Sequence, residues 1–257
     1  MKSFDGQVVV VTGAGSGMGQ AMLDEFTSRG AFVAALGSRE SRLKTAIDSI
    51  ANPTLAAAFE VDVGVPESVA AGVEQIVKRW GRVDVLCNNA GILGGHEEAH
   101  EAGLDEWDRV LAVNLTGPYL MARAILPVML TQGKGVILNT ASTSGFSAAG
   151  GGAAYTASKH GLIGLSRQLT FEYGARGIRV NTICPGAVAT PMAIPEHADA
   201  SFPDVDAAVK KTPAGRFGKP EEIAKLAAFL AGEDADFIHG SDYVIDGGWL
   251  AAARDPY

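Results

Sequence analysis

The chain has 257 residues, 47% of them hydrophobic, and a formal net charge of −8. This length and composition predict a folded α/β protein with a substantial core, and the acidic charge disfavours nucleic-acid binding. Two cysteines are too few for a disulfide framework, and the five histidines show no metal-binding spacing, so we expect neither disulfides nor a metal site.

Strands and helices alternate along the whole sequence. We predict strands over residues 7–12, 31–36, 55–61, 83–87, 136–140, 178–183 and 243–245. We predict helices over residues 20–28, 40–50, 66–80, 104–115, 118–130, 155–173 and 220–230. The alternation predicts a doubly wound parallel α/β sheet of the Rossmann type. Because no linker interrupts it, we expect a single domain over residues 1–257, with ligands beyond the carboxyl ends of the strands.

A glycine-rich turn joins the first strand to the first helix. Its spacing is Gly-x-x-x-Gly-x-Gly, and the glycines let a backbone approach a pyrophosphate that faces the helix N-terminus. An ordinary glycine-rich loop is the alternative interpretation, but the strand and helix both sit where dinucleotide binding needs them. The residues expected to bind the pyrophosphate are Gly13, Gly15, Ser16, Gly17, Met18 and Gly19.

Tyr155 and Lys159 lie four residues apart on a predicted helix, and Ser142 follows the fifth strand. Positions i and i+4 share a helix face, so the two side chains point the same way. A lysine ammonium favours the phenolate, and we expect it to lower the pKa of Tyr155 from about 10. Tyr155 is then a candidate general acid/base, and Ser142 can hydrogen-bond the same substrate oxygen. The alternative is a core tyrosine beside a solvated lysine.

Taken in order, these motifs resemble the short-chain dehydrogenase/reductase family over essentially the whole chain. They run from the glycine turn through Asp62, the Asn-Asn-Ala-Gly run at 88–91, Asn114, Ser142, Tyr155 and Lys159 to Pro185-Gly186 and Thr190. The resemblance implies hydride transfer between a nicotinamide dinucleotide and a small-molecule ketone or secondary alcohol. A ketoacyl-carrier-protein reductase shares every motif, and a non-catalytic dinucleotide-binding regulator is a third alternative.

The resemblance also implies roles for single residues. Asn114 would hold a water linked to Lys159, and Lys159 would bind the nicotinamide ribose as well as assist Tyr155. Ser144 competes with Ser142 for its role, but Ser142 fits the family spacing better. The further implied cofactor-binding residues are Gly37, Ser38, Arg39, Asp62, Val63, Asn89, Ala90, Gly91, Pro185, Gly186, Val188 and Thr190.

The second strand indicates which dinucleotide binds. NAD-preferring relatives carry an acid at its end to bind the ribose hydroxyls. Here Gly37 takes that place, and Ser38 and Arg39 can bind a 2′-phosphate. We therefore expect a preference for NADP(H), with NAD(H) as the alternative. Two features of NADP-preferring relatives are missing, because Ser16 replaces a base in the glycine turn and Ser38 replaces an arginine.

Substrate, assembly and location are the least constrained expectations. Gly94, Phe146 and Met192, with Ser142 and Tyr155, are expected to contact the substrate, and residues 191–213 to form a lid over it. The resemblance implies a homotetramer, in which relatives pair the long helices and pack their last strands together. Apolar surface from Ile163, Leu165 and Leu169 and from the tail at 247–250 is expected to supply these interfaces. The first residues lack a secretory signal, and no membrane-length apolar stretch is free of Gly, Pro and charge. We therefore expect a cytoplasmic protein without a membrane partner.

Overall fold

The computed structural model describes residues 3–148, 150–194 and 205–252. Within these residues the strands are β1 Val8–Thr12, β2 Phe32–Gly37, β3 Ala56–Glu60, β4 Val85–Asn88, β5 Gly135–Thr140, β6 Ile178–Pro185 and β7 Asp242–Ile245. The α-helices are α1 Gly17–Ser28, α2 Glu40–Asp48, α3 Pro66–Trp80, α4 Leu104–Leu111, α5 Gly117–Gln132, α6 Ala153–Tyr173, α7 Val205–Lys210 and α8 Pro220–Ala231.

The strands form one parallel sheet in the order β3-β2-β1-β4-β5-β6-β7. The chain winds outward from β1 in one direction and then, from β4, in the other. This is the doubly wound arrangement that the sequence predicts. Its crevice lies between the carboxyl ends of β1 and β4, where the strand order reverses.

Helices cover both faces of the sheet, which explains why the first strand is an uninterrupted apolar run. Every residue of β1 is buried. Because alternate side chains point to opposite faces, Val9 and Val11 pack with Phe26 of α1, while Val10 packs with Ile125 of α5. The central strands are therefore fixed between two apolar layers, which gives the strand ends a rigid position.

Two predicted helices are one continuous helical segment, Leu104–Gln132. A π-helical turn, Ala112–Thr116, joins α4 to α5 where the sequence predicted a break near Pro118. Proline lacks an N–H, and the widened turn before it accommodates the missing hydrogen bond without ending the helix. The turn also redirects the side chains that it carries, Asn114 among them.

This helical segment is long and apolar enough to cross a membrane by length and composition alone. Half of its most apolar window is buried inside the protein, and Met121, Ile125 and Met129 pack on the sheet. The segment also contains Pro118 and Arg123. A core helix passes the same test, and that is our interpretation of it.

The apolar surface on the long helices differs from the expectation. Ile163 and Leu169 are buried, and Leu165 packs partly buried against the core. The prediction that they form exposed surface is therefore wrong, because α6 turns this face toward the sheet. The apolar side chains that these helices do expose include Phe171, which is 85% exposed, and Leu104, which is 79% exposed.

Candidate active site

A cleft of about 290 Å³ opens at the carboxyl ends of the central strands. Residues after β1, β5, β6 and β7 line it, together with Met192, Ala193, Ala208, Val209 and Thr212 from the predicted lid. The part of that lid at 195–204 lies outside the described residues. The cleft lies where parallel α/β sheets bind their ligands.

The glycine turn has the backbone shape that its sequence predicts. Gly13 and Gly17 have φ angles of +67° and +53°, in the region that favours glycine. A Cβ on Gly19 would clash with the carbonyl of Gly13, so the helix packs directly on the turn. Ser16 provides no side-chain cap to α1. The N–H groups that begin α1 are therefore open to an anion, and the turn fits a dinucleotide pyrophosphate.

Thr12 joins this turn to the Asn-Asn-Ala-Gly run. Its Oγ1 accepts hydrogen bonds from the backbone N–H groups of Asn89, at 2.9 Å, and Ala90, at 3.0 Å. The Asn89 side-chain amide donates to the Thr12 carbonyl at 3.1 Å. Sequence reasoning placed Thr12 in the motif but gave it no role. The sequence does contain an indication of this role, because Thr12 is a hydroxyl-bearing residue at the end of a buried strand, and that strand pairs with β4.

The residues that we expect to determine the choice between NADP and NAD lie at the end of β2, next to the end of β3. Ser38 and Arg39 are exposed at the start of α2, and a Cβ on Gly15 would lie 3.3 Å from Cβ of Arg42. Arg42 is thus a second cation on this side of the turn, which the sequence reading missed. Glu60 is paired with Gly37 across the sheet and accepts a hydrogen bond from Glu40 N at 3.2 Å.

Asp62 follows β3 and makes a local turn. Its Oδ1 accepts a hydrogen bond from Gly64 N at 2.9 Å, and its own N donates to Ser68 Oγ at 3.0 Å. The neighbouring Val63 is buried against Gly117 at the start of α5. Asp62 is exposed, so its other carboxylate oxygen remains accessible for a ligand.

Ser142 and Tyr155 meet in the cleft. Both line it, and the Ser142 side chain lowers the pKa of Tyr155. Burial acts in the opposite direction and is the larger effect, so the pKa of Tyr155 is raised above its ordinary value. The expectation of a tyrosine with a lowered pKa is therefore wrong for this structure, because the phenol is buried and protonated.

Lys159 reaches the site from the next turn of α6. Its Nζ donates to the Thr140 carbonyl at 2.9 Å and lies 5.4 Å from the centroid of the Tyr155 ring. The ammonium therefore faces a carbonyl and the tyrosine ring. Burial lowers the pKa of Lys159 to about 8. The buried ammonium therefore loses its proton at a lower pH than a solvated lysine does.

Asn114 enters the site from the π-helical turn and is fully buried. Its Oδ1 accepts from Ile92 N at 2.9 Å, and its Nδ2 donates to Ile92 O at 2.8 Å and Ser158 Oγ at 3.2 Å. A Cβ on Gly91 would lie 3.4 Å from Asn114 Oδ1 and 3.6 Å from Lys159 Nζ. The amide and the ammonium therefore face one small space beside Gly91.

The predicted substrate contacts separate into two groups. Met192 lines the cleft, as do the predicted cofactor residues Met18, Pro185, Gly186, Val188 and Thr190. Phe146 is not among the described lining residues, because it follows the short turn Thr143–Gly145 and lies 43% exposed. Gly94 lines a smaller adjoining cavity beside Tyr155. The structure therefore does not bring Phe146 or Gly94 into the main cleft.

Ser144 and Trp249 line the cleft without having been predicted as site residues. Ser144 was considered in the sequence only as an alternative to Ser142. Trp249 belongs to no motif, and only the neighbouring positions of β6 and β7 bring it to the site.

Comparisons with known proteins agree with this geometry. A family model described as enoyl-(acyl carrier protein) reductase matches residues 13–250. D-threitol dehydrogenase of Mycolicibacterium smegmatis is 40% identical over 247 residues, which are 96% of this chain and 94% of that protein.

Solved structures are similar along nearly the whole chain. A short-chain type dehydrogenase/reductase from Mycobacterium marinum superposes with a TM-score of 0.90 at 31% identity, covering 97% of this chain and 98% of its own. A protein from Beutenbergia cavernae described as an NAD(P)-dependent gluconate 5-dehydrogenase, with NADP bound, has a TM-score of 0.88 at 38% identity. That match covers 97% of this chain and 99% of the other.

Proposed function

The chain belongs to the short-chain dehydrogenase/reductase family and is an NAD(P)-dependent oxidoreductase of alcohols and ketones, and we propose that Tyr155 is its general acid/base. The observation that carries this proposal is that Ser142 and Tyr155 both line the cleft, with the Ser142 side chain near enough to the phenol to lower its pKa. Two hydroxyl groups at one point can bind a single substrate oxygen, one by a hydrogen bond and one by proton transfer.

The dinucleotide fits the turn after β1, where uncapped N–H groups of α1 face outward. Its nicotinamide, when bound, supplies a hydride to a carbonyl carbon or accepts one from a carbinol carbon. Thr190, whose methyl group would lie 3.1 Å from a Cβ on Gly17, would bind the carboxamide. Asn89, Ala90 and Gly91 would border the nicotinamide ribose, which Lys159 binds.

In ketone reduction, Ser142 hydrogen-bonds the substrate oxygen and Tyr155 donates a proton to it. Because the pKa of Tyr155 is raised by burial, the protonated acid is the resting form. Lys159, with a pKa of about 8, can return the proton that Tyr155 loses. The space between Asn114 Oδ1 and Lys159 Nζ supports a bridging water that would link the lysine to solvent. Alcohol oxidation uses the same groups in reverse.

Replacing Tyr155 with phenylalanine tests this mechanism. The substitution keeps the ring and removes the proton, so we expect turnover to fall by about 10² to 10⁴ while the dissociation constant for the dinucleotide changes little. Thr156→Val, on the same helix turn, is the control. Near-normal turnover by Tyr155→Phe would refute the assignment of Tyr155.

We further propose that the preferred dinucleotide is NADP(H). No acid ends β2 at Gly37, and the exposed side chains of Ser38, Arg39 and Arg42 are placed to bind a 2′-phosphate. The carboxylate of Glu60 lies nearby, bonded to Glu40 N, and works against this preference.

The cofactor proposal predicts a change in kcat/KM measured with NADPH and NADH. We expect wild type to favour NADPH, Arg39→Ala to lose much of that preference, and Gly37→Asp to shift it toward NADH. Lys44→Ala, which removes an exposed charge from the same helix, should leave the ratio unchanged. A wild-type preference for NADH would overturn the cofactor assignment and leave the catalytic residues untouched.

The remaining proposals concern the chain as a whole. We take residues 1–257 as one catalytic domain with a lid at 191–213, supported by Met192, Val209 and Thr212 in the cleft wall. We also propose a cytoplasmic location and a homotetramer, and the exposed Leu104 and Phe171 on the long helices support the assembly. Carrier-protein reductases usually carry basic residues on the helix that bears the catalytic tyrosine. Here Phe171 stands before Glu172 on that helix, which argues against the carrier-protein alternative.

A further inference from the structure

Ser144 carries an unused hydroxyl group beside the proposed acid/base. The residue is only 2% exposed, and it lines the cleft. Its backbone N donates to Ser142 Oγ at 3.1 Å. Among the described residues, its own Oγ has no hydrogen-bond partner. Because Ser144 lines the cleft and its hydroxyl is not used within the described residues, the hydroxyl is available for a ligand there.

Neighbouring hydroxyl groups differ from it in this respect. Ser147 Oγ donates to the Thr143 carbonyl at 3.3 Å. Thr212 Oγ1 donates to the Val209 carbonyl at 2.8 Å and accepts from Gly215 N at 3.2 Å. The Ser144 hydroxyl fits in its position only because residue 150 is glycine, since a Cβ on Gly150 would clash with Ser144 Oγ.

The position of Ser144 limits the distance between its hydroxyl group and that of Ser142. It thereby limits which substrates could contact both hydroxyl groups through two oxygen atoms. Because Ser144 N lies 3.1 Å from Ser142 Oγ, and a serine hydroxyl lies within about 4 Å of its own nitrogen, the two hydroxyl groups are at most about 7 Å apart. Oxygens on adjacent or next-but-one carbons of a small molecule are about 3 to 5 Å apart. One molecule can therefore hydrogen-bond Ser142 through its reacting oxygen and Ser144 through the second.

The charge of the cleft restricts that molecule further. Among its described lining residues, the ionisable side chains besides Tyr155 are His96 and Asp246, and none is lysine or arginine. Asp246 already accepts hydrogen bonds from Gly248 N and Leu250 N, both at 2.8 Å. A carboxylate or phosphate on the substrate would meet no lysine or arginine among these described lining residues and would face Asp246.

We propose, on the basis of the proposed function, that the substrate is an uncharged diol or hydroxyketone and that Ser144 selects it. The second oxygen lies one or two carbons from the reacting carbon, and Ser144 Oγ hydrogen-bonds it. Ser144 is thus a specificity-determining residue and takes no part in proton transfer.

The test compares alcohols that differ by one oxygen. Oxidation of butane-2,3-diol is measured against butan-2-ol, and of cyclohexane-1,2-diol against cyclohexanol, with kcat/KM for each. We expect wild type to prefer the diol in at least one pair by about tenfold, the effect of one hydrogen bond. Ser144→Ala should lose this preference while oxidising the mono-alcohol within about twofold of wild type. Gly150→Ala, which displaces the same hydroxyl from the other side, should have the same effect.

Ser147→Ala is the matched control, because its hydroxyl is already engaged, and the ratio should not change. The anion 2,3-dihydroxybutanoate should be a poorer substrate than butane-2,3-diol. The inference fails if wild type oxidises mono-alcohols as well as diols, if the anion is preferred, or if Ser144→Ala slows both members of a pair equally. If wild type oxidises none of these alcohols with either dinucleotide, the proposed function fails as well.

Discussion

Replacing Thr12 with valine should destabilise the protein far more than the small change in side-chain size suggests. Thr12 is 1% exposed at the end of β1, and its Oγ1 accepts from Asn89 N and Ala90 N at 2.9 and 3.0 Å. Valine keeps the shape and removes the acceptor. Each N–H left without a partner costs about 1 to 3 kcal/mol. Because both residues are half-buried, we expect the free energy of unfolding to fall by about 2 to 4 kcal/mol.

Thr27→Val is the matched control for this prediction. Thr27 is equally buried, but its Oγ1 donates to the carbonyls of Leu23 and Asp24 within α1. Losing that donor leaves no backbone N–H unpaired, so the expected cost is under about 1 kcal/mol. Urea denaturation at one protein concentration measures both variants. The reasoning is refuted if Thr12→Val costs no more than Thr27→Val. A weaker NADPH affinity in Thr12→Val alone would confirm that Thr12 holds the loop at 89–91.

Two further predictions concern charge and assembly. Because the pKa of Lys159 is about 8 when folded and 10.5 when free, the unfolded chain binds the extra proton between these values. The free energy of unfolding of wild type should therefore rise relative to that of Lys159→Met as the pH increases from about 8 to 10.5, by up to roughly 3 kcal/mol. Urea denaturation at several pH values measures this difference, and a difference that stays constant with pH would contradict the reasoning. Light scattering should give the mass of a tetramer, and Phe171→Ser with Leu104→Ser should lower it; a monomeric wild type would reject the assembly.

Local sequence patterns predicted the strands, the glycine turn and the Tyr155–Lys159 pair because each of these features depends on residues close together in the sequence. The run at Val8–Thr12 is buried on both faces, so its composition alone marks a central strand. Gly13 and Gly17 adopt positive φ angles, so their identity marks a tight turn. Tyr155 and Lys159 share a helix face whatever the helix packs against. These features depend on one element at a time, and a sequence shows them directly.

Features that depend on packing between elements were not predictable in the same way. The sequence suggested that Ile163 and Leu169 were exposed, yet Phe171 on the same helix is the exposed side chain. The π-helical turn at Ala112–Thr116 follows from a helix that packs through Pro118 rather than ending there. Thr12, Ser144 and Trp249 gain their positions from strands and turns distant in sequence. Only the order of the strands brings Ser144 and Trp249 to one cleft and places Thr12 beside the loop at 89–91.

The protonation of the site shows why burial matters most. Burial disfavours charge on either group, and it moves the pKa of Tyr155 up and that of Lys159 down. Both shifts favour the neutral forms. Under the mechanism proposed above, ketone reduction would begin from a tyrosine that already holds its proton. Alcohol oxidation would need that proton to leave, and burial, which lowers the pKa of Lys159 to about 8, increases the fraction of neutral lysine that could accept it. The burial of both side chains would thus serve the two directions of the proposed reaction.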